Sequence, residues 1–217
     1  AEEISIVPRH IVNFGGDAAI IENLLEDGQA PSVVGFTCYM WNVERSLYVA
    51  KKIKEQAPDI MIVFGGPEMA ASEWIEKKAP GVVDVVVRGE GEASFVRFLG
   101  DLRMQKVLKT YCDDTPLNLE NLANPYLEHI LEPVNNESLF IETMRGCPYP
   151  CKYCFYSKSY SGMRYLPSEH LPKLFQLARD KNVPELYIMD PSFNVTPGLK
   201  DRLQTMAKLN STGIPMH

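Results

Sequence analysis

Apolar residues along the chain follow two habits: short, nearly unbroken runs, and longer segments in which they recur at every third or fourth position. The run "SVVGFTC" at 32–38 predicts a strand. "NVERSLYVAKKIKEQAP" at 42–58 places Leu47, Val49, Ala50 and Ile53 at helical spacing and stops at Pro58, which predicts a helix. The alternation continues with a strand at 59–66 ("DIMIVFGG") and a helix at 68–81 ("EMAASEWIEKKAPG"). A strand at 82–91 ("VVDVVVRGEG") and a helix at 92–102 ("EASFVRFLGDL") follow. Strands that are apolar almost throughout and alternate with helices imply a parallel sheet covered on both faces, so the fold class is α/β with a Rossmann-like N-terminal domain.

Between 104 and 136 the pattern gives way to polar sequence with Asn and Pro, such as "DDTPLNLENLANPY", which reads as a linker. The rhythm resumes with a strand at 138–144 ("SLFIETM"), a helix at 168–182, a strand at 185–190 ("ELYIMD"), a helix at 197–210 and the start of a strand at Ile214. The expected organisation is a domain over 1–103, a linker over 104–137 and a second αβ unit over 138–217. The segment before Pro31 is short and irregular, so the first domain is expected to lack its opening strand and helix. The chain starts without Met and stops inside a pattern, and both ends read as trimmed.

Composition narrows the function classes. The 217 residues carry a formal charge of −6 with no dense Lys/Arg run, which argues against nucleic acid and anionic lipid and leaves small molecules or proteins as partners. No stretch approaches the length of a membrane span, and "AEEISIVPRH" lacks the pattern of a signal peptide, so a cytoplasmic location is expected. Five cysteines, three of them crowded, form a poor disulfide framework and a better ligand set.

Ligands of open parallel sheets bind beyond the carboxyl ends of the strands. In the first domain those ends read "TCYMWN", "GGPE" and "GEGE", which makes Thr37, Asn42, Gly65, Gly66, Gly89 and Glu90 candidate cofactor contacts. Each loop alone is equally a tight strand-to-helix turn with a capping residue; the three together on one edge favour a ligand-facing rim. Tyr39 and Trp41 fit either a core or a flat cofactor.

Residues 142–154 read "ETMRGCPYPCKYC". Cys147, Cys151 and Cys154 form a CxxxCxxC array directly after a predicted strand, so three soft thiolates can converge on iron. Pro148 and Pro150 keep the loop from winding into a helix that would turn the sulfurs apart. Three ligands would serve three irons of a four-iron cluster and leave the fourth open for chemistry. Structural zinc asks for a fourth protein ligand, and His170 is far along the sequence. An electron-transfer cluster would call for a fourth cysteine, and Cys38 or Cys112 reads more simply as a small buried hydrophobe.

"CPYPCKYC", with Tyr153 just before the last cysteine, resembles the signature of the radical S-adenosylmethionine superfamily. "VVGFTCYMWN", "VFGGPEMA" and "VVVRGEGEASFVRFL" are similar to the cobalamin-binding domain that precedes the radical domain in one large branch, and "MRYLPSEHL" and "LYIMDPSFN" also resemble that branch. The resemblance implies that the second unit is the start of a (β/α) partial barrel. It also implies a 4Fe-4S cluster on Cys147, Cys151 and Cys154, with S-adenosylmethionine chelating the open iron and cleaved reductively to a 5′-deoxyadenosyl radical. Cobalamin-associated methyl transfer or rearrangement on an unknown substrate would follow, with electrons from a flavodoxin- or ferredoxin-like reductant. Tyr153 would pack near cluster and adenine, and the region from Asp190 to Asn194 would help hold the methionine end, Asp190 meeting its ammonium. "DPSFN" is also a plain helix-capping turn, and Arg145 and Gly146 could be no more than a strand exit. The DxHxxG motif is absent and His10 lacks its context, so cobalamin would have no histidine lower ligand; a domain that has lost the cofactor fits equally. With only the first strand-helix units of the radical domain present, this chain alone is expected to be catalytically weak or dead, and a non-catalytic cluster- or cobalamin-binding module is the alternative.

Overall fold

The computed structural model describes residues 16–25, 31–113, 115–133, 137–154, 156, 162–195 and 198–217. The chain divides into two compact units, Ala1–Thr115 and Pro116–His217.

The first unit is a four-stranded sheet in the order β1 (Val33–Thr37), β2 (Met61–Gly65), β3 (Val85–Arg88), β4 (Thr110–Cys112), every neighbouring pair parallel. Connections between parallel strands need a crossover, supplied here by α2 (Val43–Gln56), α3 (Glu73–Lys78) and α4 (Gly91–Arg103). Side chains of β2 alternate between two cores: Ile62 and Phe64 join Leu47, Ala50 and Ile53 of α2, while Val63 joins Val85, Val87, Phe98 and Tyr111 on the other face. Both faces are therefore covered, which is why these strands read as continuous apolar runs.

Three expectations are corrected in this unit. An opening helix is present: α1 (Asp17–Leu25) buries Ile20 and Ile21, and Asp17 pairs with Arg45 of α2 at 2.7 Å. The single helix expected at 68–81 is a 3-10 turn (Pro67–Ala71) followed by the short α3, broken at Ser72, where Arg88 from β3 donates to the Ser72 hydroxyl at 2.9 Å and to Glu73 at 3.0 Å. The supposed linker contributes β4, in register with β3 from Val86↔Thr110 to Arg88↔Cys112, so the first unit runs on to Thr115 instead of ending at 103.

In the second unit β5 (Leu139–Ile141) lies parallel to β8 (Leu186–Ile188), and Met216 bridges Leu186 in parallel at the place where the third strand was expected. Helices α5 (His170–Asp180) and α6 (Leu199–Leu209) bring Leu174, Phe175, Ala178 and Met206 onto Leu139, Ile141 and Leu186. The strand expected at 138–144 is interrupted: β6 (Met144–Arg145) departs from β5 and pairs antiparallel with β7 (Arg164–Tyr165). That two-rung ladder closes the base of the cysteine loop. Among the described residues no helix is long and apolar enough to cross a membrane.

Candidate cofactor sites

At the carboxyl edge of the first sheet, the exits of β1 and β2 are locked together. Cys38 N–H donates to the Gly65 carbonyl at 2.7 Å and Glu68 N–H to the Cys38 carbonyl at 3.2 Å. Gly66 makes this approach possible: its φ is +97°, and a Cβ there would sit 2.7 Å from the Cys38 oxygen and 2.8 Å from its nitrogen. Gly65 meets no such limit. Gly89 has φ +74° with open space where a side chain would be, and Glu90 precedes the first turn of α4. Thr37 ends β1 with its side chain exposed.

Asn42 is placed otherwise than its candidacy suggested. Its amide closes the β1–α2 turn, the oxygen accepting from Tyr39 N–H at 2.7 Å and the nitrogen donating to the Thr37 carbonyl at 3.0 Å, so it shapes the rim instead of facing outward as a contact. The turn it closes carries Tyr39 stacked on Trp41, centroids 4.5 Å apart and planes 9° from parallel, with Trp41 75% exposed. This settles the choice left open for these aromatics: Trp41 is not core. Half-buried Tyr39 under exposed Trp41, with exposed Met40 between them in sequence, makes a flat apolar patch at this edge.

Cys38 lies in the core, and burial pushes its thiol up to about 12 against a weaker downward pull from Ser46, so it stays protonated and is no ligand. Cys112 is exposed at the end of β4, which corrects the expectation that it is buried.

In the second unit Cys147, Cys151 and Cys154 are all partly exposed on the loop between β6 and β7 and take part in no disulfide. Cys154 N–H donates to the Cys151 carbonyl at 3.1 Å, so the second and third cysteines share one turn. Among the described residues no three His, Cys, Asp or Glu side chains converge tightly enough to hold a metal as they stand. Three thiolates repel one another without a cation, and such sites are rarely preformed, so donor type, loop position and exposure are what fit a cluster here. His170 opens α5 and lines a cavity of about 480 Å³ with Glu142, Thr143, Tyr165, Arg202 and Thr205, apart from the three cysteines. Tyr153 is 92% exposed beside Cys151, whose thiol pushes the phenol pKa up, and Asn194 is exposed in the 3-10 turn Phe193–Val195.

The loop is anchored at both ends. Arg145 grips Glu142 through two bonds of 2.8 and 3.0 Å, and Gly146 N–H donates to the Tyr156 hydroxyl at 3.2 Å. Asp190 does meet a cation, but one from the chain: its fully buried carboxylate pairs with Arg202 at 2.8 Å and also accepts from Thr143 and Met144. Thr143 and Arg202 were not legible from sequence, one reading as part of the strand expected at 138–144 and the other as one of several cations on a helix.

The geometry defines a class: a Rossmann-like unit with a platform at its carboxyl edge, followed by a βα unit that presents three cysteines on one loop. Residues 9–99, within the first unit, match the B12 binding domain family. Two curated relatives extend the match. The cobalamin-dependent radical SAM methyltransferase TokK of Streptomyces tokunonensis is 26% identical over 215 residues, covering 82% of this chain and 30% of its own length. A 2-(S-pantetheinyl)-carbapenam-3-carboxylate methyltransferase of Streptantibioticus cattleyicolor is 27% identical, covering 85% and 31%. The chain thus spans about a third of the length of these relatives. A solved structure of the radical S-adenosylmethionine methyltransferase TsrM from Kitasatospora setae, with tryptophan substrate and a SAM analogue bound, shares the fold with a TM-score of 0.61 at 14% identity, over 88% of this chain and 42% of that one. The chain is thus similar to about a third of the length of radical S-adenosylmethionine methyltransferases that carry a cobalamin-binding domain.

Proposed function

We propose that this chain carries the cobalamin-binding and cluster-binding parts of a radical S-adenosylmethionine enzyme that transfers a methyl group to a substrate still to be identified. The observation that carries the reading is the CxxxCxxC loop, its three thiols partly exposed and its ends anchored, on the same chain as a B12 binding domain. Cys147, Cys151 and Cys154 would hold three irons of a 4Fe-4S cluster and leave the fourth to the amino and carboxylate groups of S-adenosylmethionine. When bound, the cluster supplies the electron for reductive cleavage of S-adenosylmethionine and cobalamin supplies the methyl group.

The chain's own contribution is to bind and orient. Gly66 lets the β1 and β2 exits close on each other, the open turn at Gly89 leaves backbone free to approach a large ring, and the Tyr39–Trp41 pair offers it a flat apolar face. Among the described residues the first unit holds no histidine, and His10 lies outside them, so the exposed indole of Trp41 would serve a bound ring as an apolar face and not as a metal ligand. Tyr153 sits between two cluster cysteines, where an exposed ring can shield the cluster from water. A flavodoxin- or ferredoxin-like reductant in a reducing, cytoplasmic setting suits a cluster that must stay intact and be reduced.

Anaerobic reconstitution with iron and sulfide tests the reading. Iron content and brown absorbance are read on the 217-residue chain, and release of 5′-deoxyadenosine under reduction on the longest chain that carries it. Replacing all three cysteines by Ala abolishes both. Zinc in place of iron, or colour that survives the triple change, sinks the cluster assignment; colour without 5′-deoxyadenosine marks a cluster-binding module without catalysis.

A further inference from the structure

Asp190 stands two residues beyond the end of β8, with a side chain that is 0% exposed. Its two oxygens are used differently. Oδ1 accepts two successive backbone N–H groups, Thr143 at 2.8 Å and Met144 at 3.1 Å. Oδ2 accepts Arg202 Nη2 at 2.8 Å and the Thr143 hydroxyl. Thr143 and Met144 are where the chain leaves β5 and enters β6, and Cys147 follows three residues later. Arg202 comes from the first turns of α6, where its guanidinium lies 4.7 Å from the Phe193 ring centroid and burial pulls its pKa down against the opposing pull of Asp190. One carboxylate therefore joins the end of β8, the β5–β6 junction and α6.

A buried ion pair is weak evidence of stabilisation, because desolvation offsets much of the attraction, and its usual alternative is to fix one geometry among several. Here the fixed geometry is the direction in which the chain sets out toward the cysteines. We propose that Asp190 is a positioning residue for the cysteine loop, acting through Oδ1 on the Thr143 and Met144 amides, with Arg202 holding Oδ2 in place. The inference rests on the cluster reading above. It reassigns Asp190 from a contact for the S-adenosylmethionine ammonium to an internal strut, since Arg202 already fills the place of that cation.

The atoms give a discriminating experiment. Asp190→Ala removes Oδ1 and Oδ2 together. Asp190→Asn keeps an oxygen for the two amides but turns an NH2 toward Arg202, and combining it with Arg202→Met removes that clash. Each variant is reconstituted anaerobically beside the wild-type chain, and iron retained under a chelator, the electron paramagnetic resonance spectrum of the reduced cluster, and S-adenosylmethionine binding to the loaded protein are measured. Asp190→Ala is expected to retain iron about tenfold less well, in the range of lost outer partners of metal ligands. Its residual cluster signal should be altered before S-adenosylmethionine is added. Asp190→Asn with Arg202→Met is expected to recover wild-type retention and signal. Circular dichroism and urea unfolding of the second unit report whether each variant folds; if Asp190→Ala does not, the paired variant alone decides. Normal iron retention in Asp190→Ala with only S-adenosylmethionine binding lost would return the residue to the role of ligand and overturn the proposal. So would a folded paired variant as poor in iron as Asp190→Ala. A wild-type chain that takes up no iron overturns the cluster reading and this inference with it, whereas iron in the wild type and undiminished iron in Asp190→Ala overturns this inference alone.

Discussion

Gly146 is the last residue before the first cysteine, and its φ of +97° is one that side chains rarely adopt. A Cβ there would lie 1.8 Å from the Gly162 carbonyl oxygen, which belongs to backbone returning toward β7 and cannot rotate out of the way. Gly146→Ala is therefore expected to destabilise the second unit by about 2–4 kcal/mol, combining left-handed strain with a steric clash. Urea unfolding checks this, and an unchanged midpoint would show that the two ends of the loop are not held this closely. The same position shows what sequence can and cannot deliver. The three cysteines were legible because their chemistry lies in their own spacing, whatever surrounds them. Gly146 could be read only as a strand exit because its constraint comes from Gly162, a partner set by the fold. Asn42 and Asp190 were read as outward-facing for the same reason: a short polar side chain shows its type in the sequence, but the backbone groups it will serve become neighbours only after folding.

Strands and helices were recovered where a long apolar period supported them and lost where they were short. β4 is three residues long, with one buried side chain between two exposed ones, so nothing in "KTYCDD" separates it from a linker. What makes it a strand is Tyr111. The ring is fully buried against Phe98, and its hydroxyl donates to Asp101 at 2.9 Å while accepting the Leu108 N–H at 3.0 Å. Burial holds the phenol above its ordinary pKa, so it remains the donor at neutral pH. Tyr111→Phe keeps the packing but leaves the Leu108 amide and the Asp101 carboxylate without this partner, which is expected to cost about 1–3 kcal/mol. Equilibrium unfolding of the chain measures it; a loss near zero would mean that ring burial alone holds β4 to the sheet. α1 is not legible for a related reason: it is only nine residues long, and the core that buries its Ile20 and Ile21 comes from distant positions such as Leu47 and Ala50 of α2.

Across the whole molecule, the buried side chains sort into cores that respect the division at Thr115 and Pro116. Two lie on the faces of the first sheet, and the third, built on Leu139, Ile141, Phe175 and Leu186, draws only on the second unit. A unit with its own core can fold by itself, and a linker boundary is where a chain tolerates being cut. The proposed cofactors divide the same way, with the platform of Tyr39 and Trp41 before the boundary and Cys147, Cys151 and Cys154 after it. Expressing residues 1–115 alone is therefore expected to give a folded protein that binds cobalamin within about threefold of the affinity of the whole chain, a difference of under about 1 kcal/mol. Replacing the three cysteines in the whole chain should leave that affinity equally untouched. Equilibrium titration of cobalamin absorbance against each protein measures both. Loss of binding in residues 1–115 would place part of the cobalamin site beyond Thr115, and the platform of the first unit would then be only one wall of it.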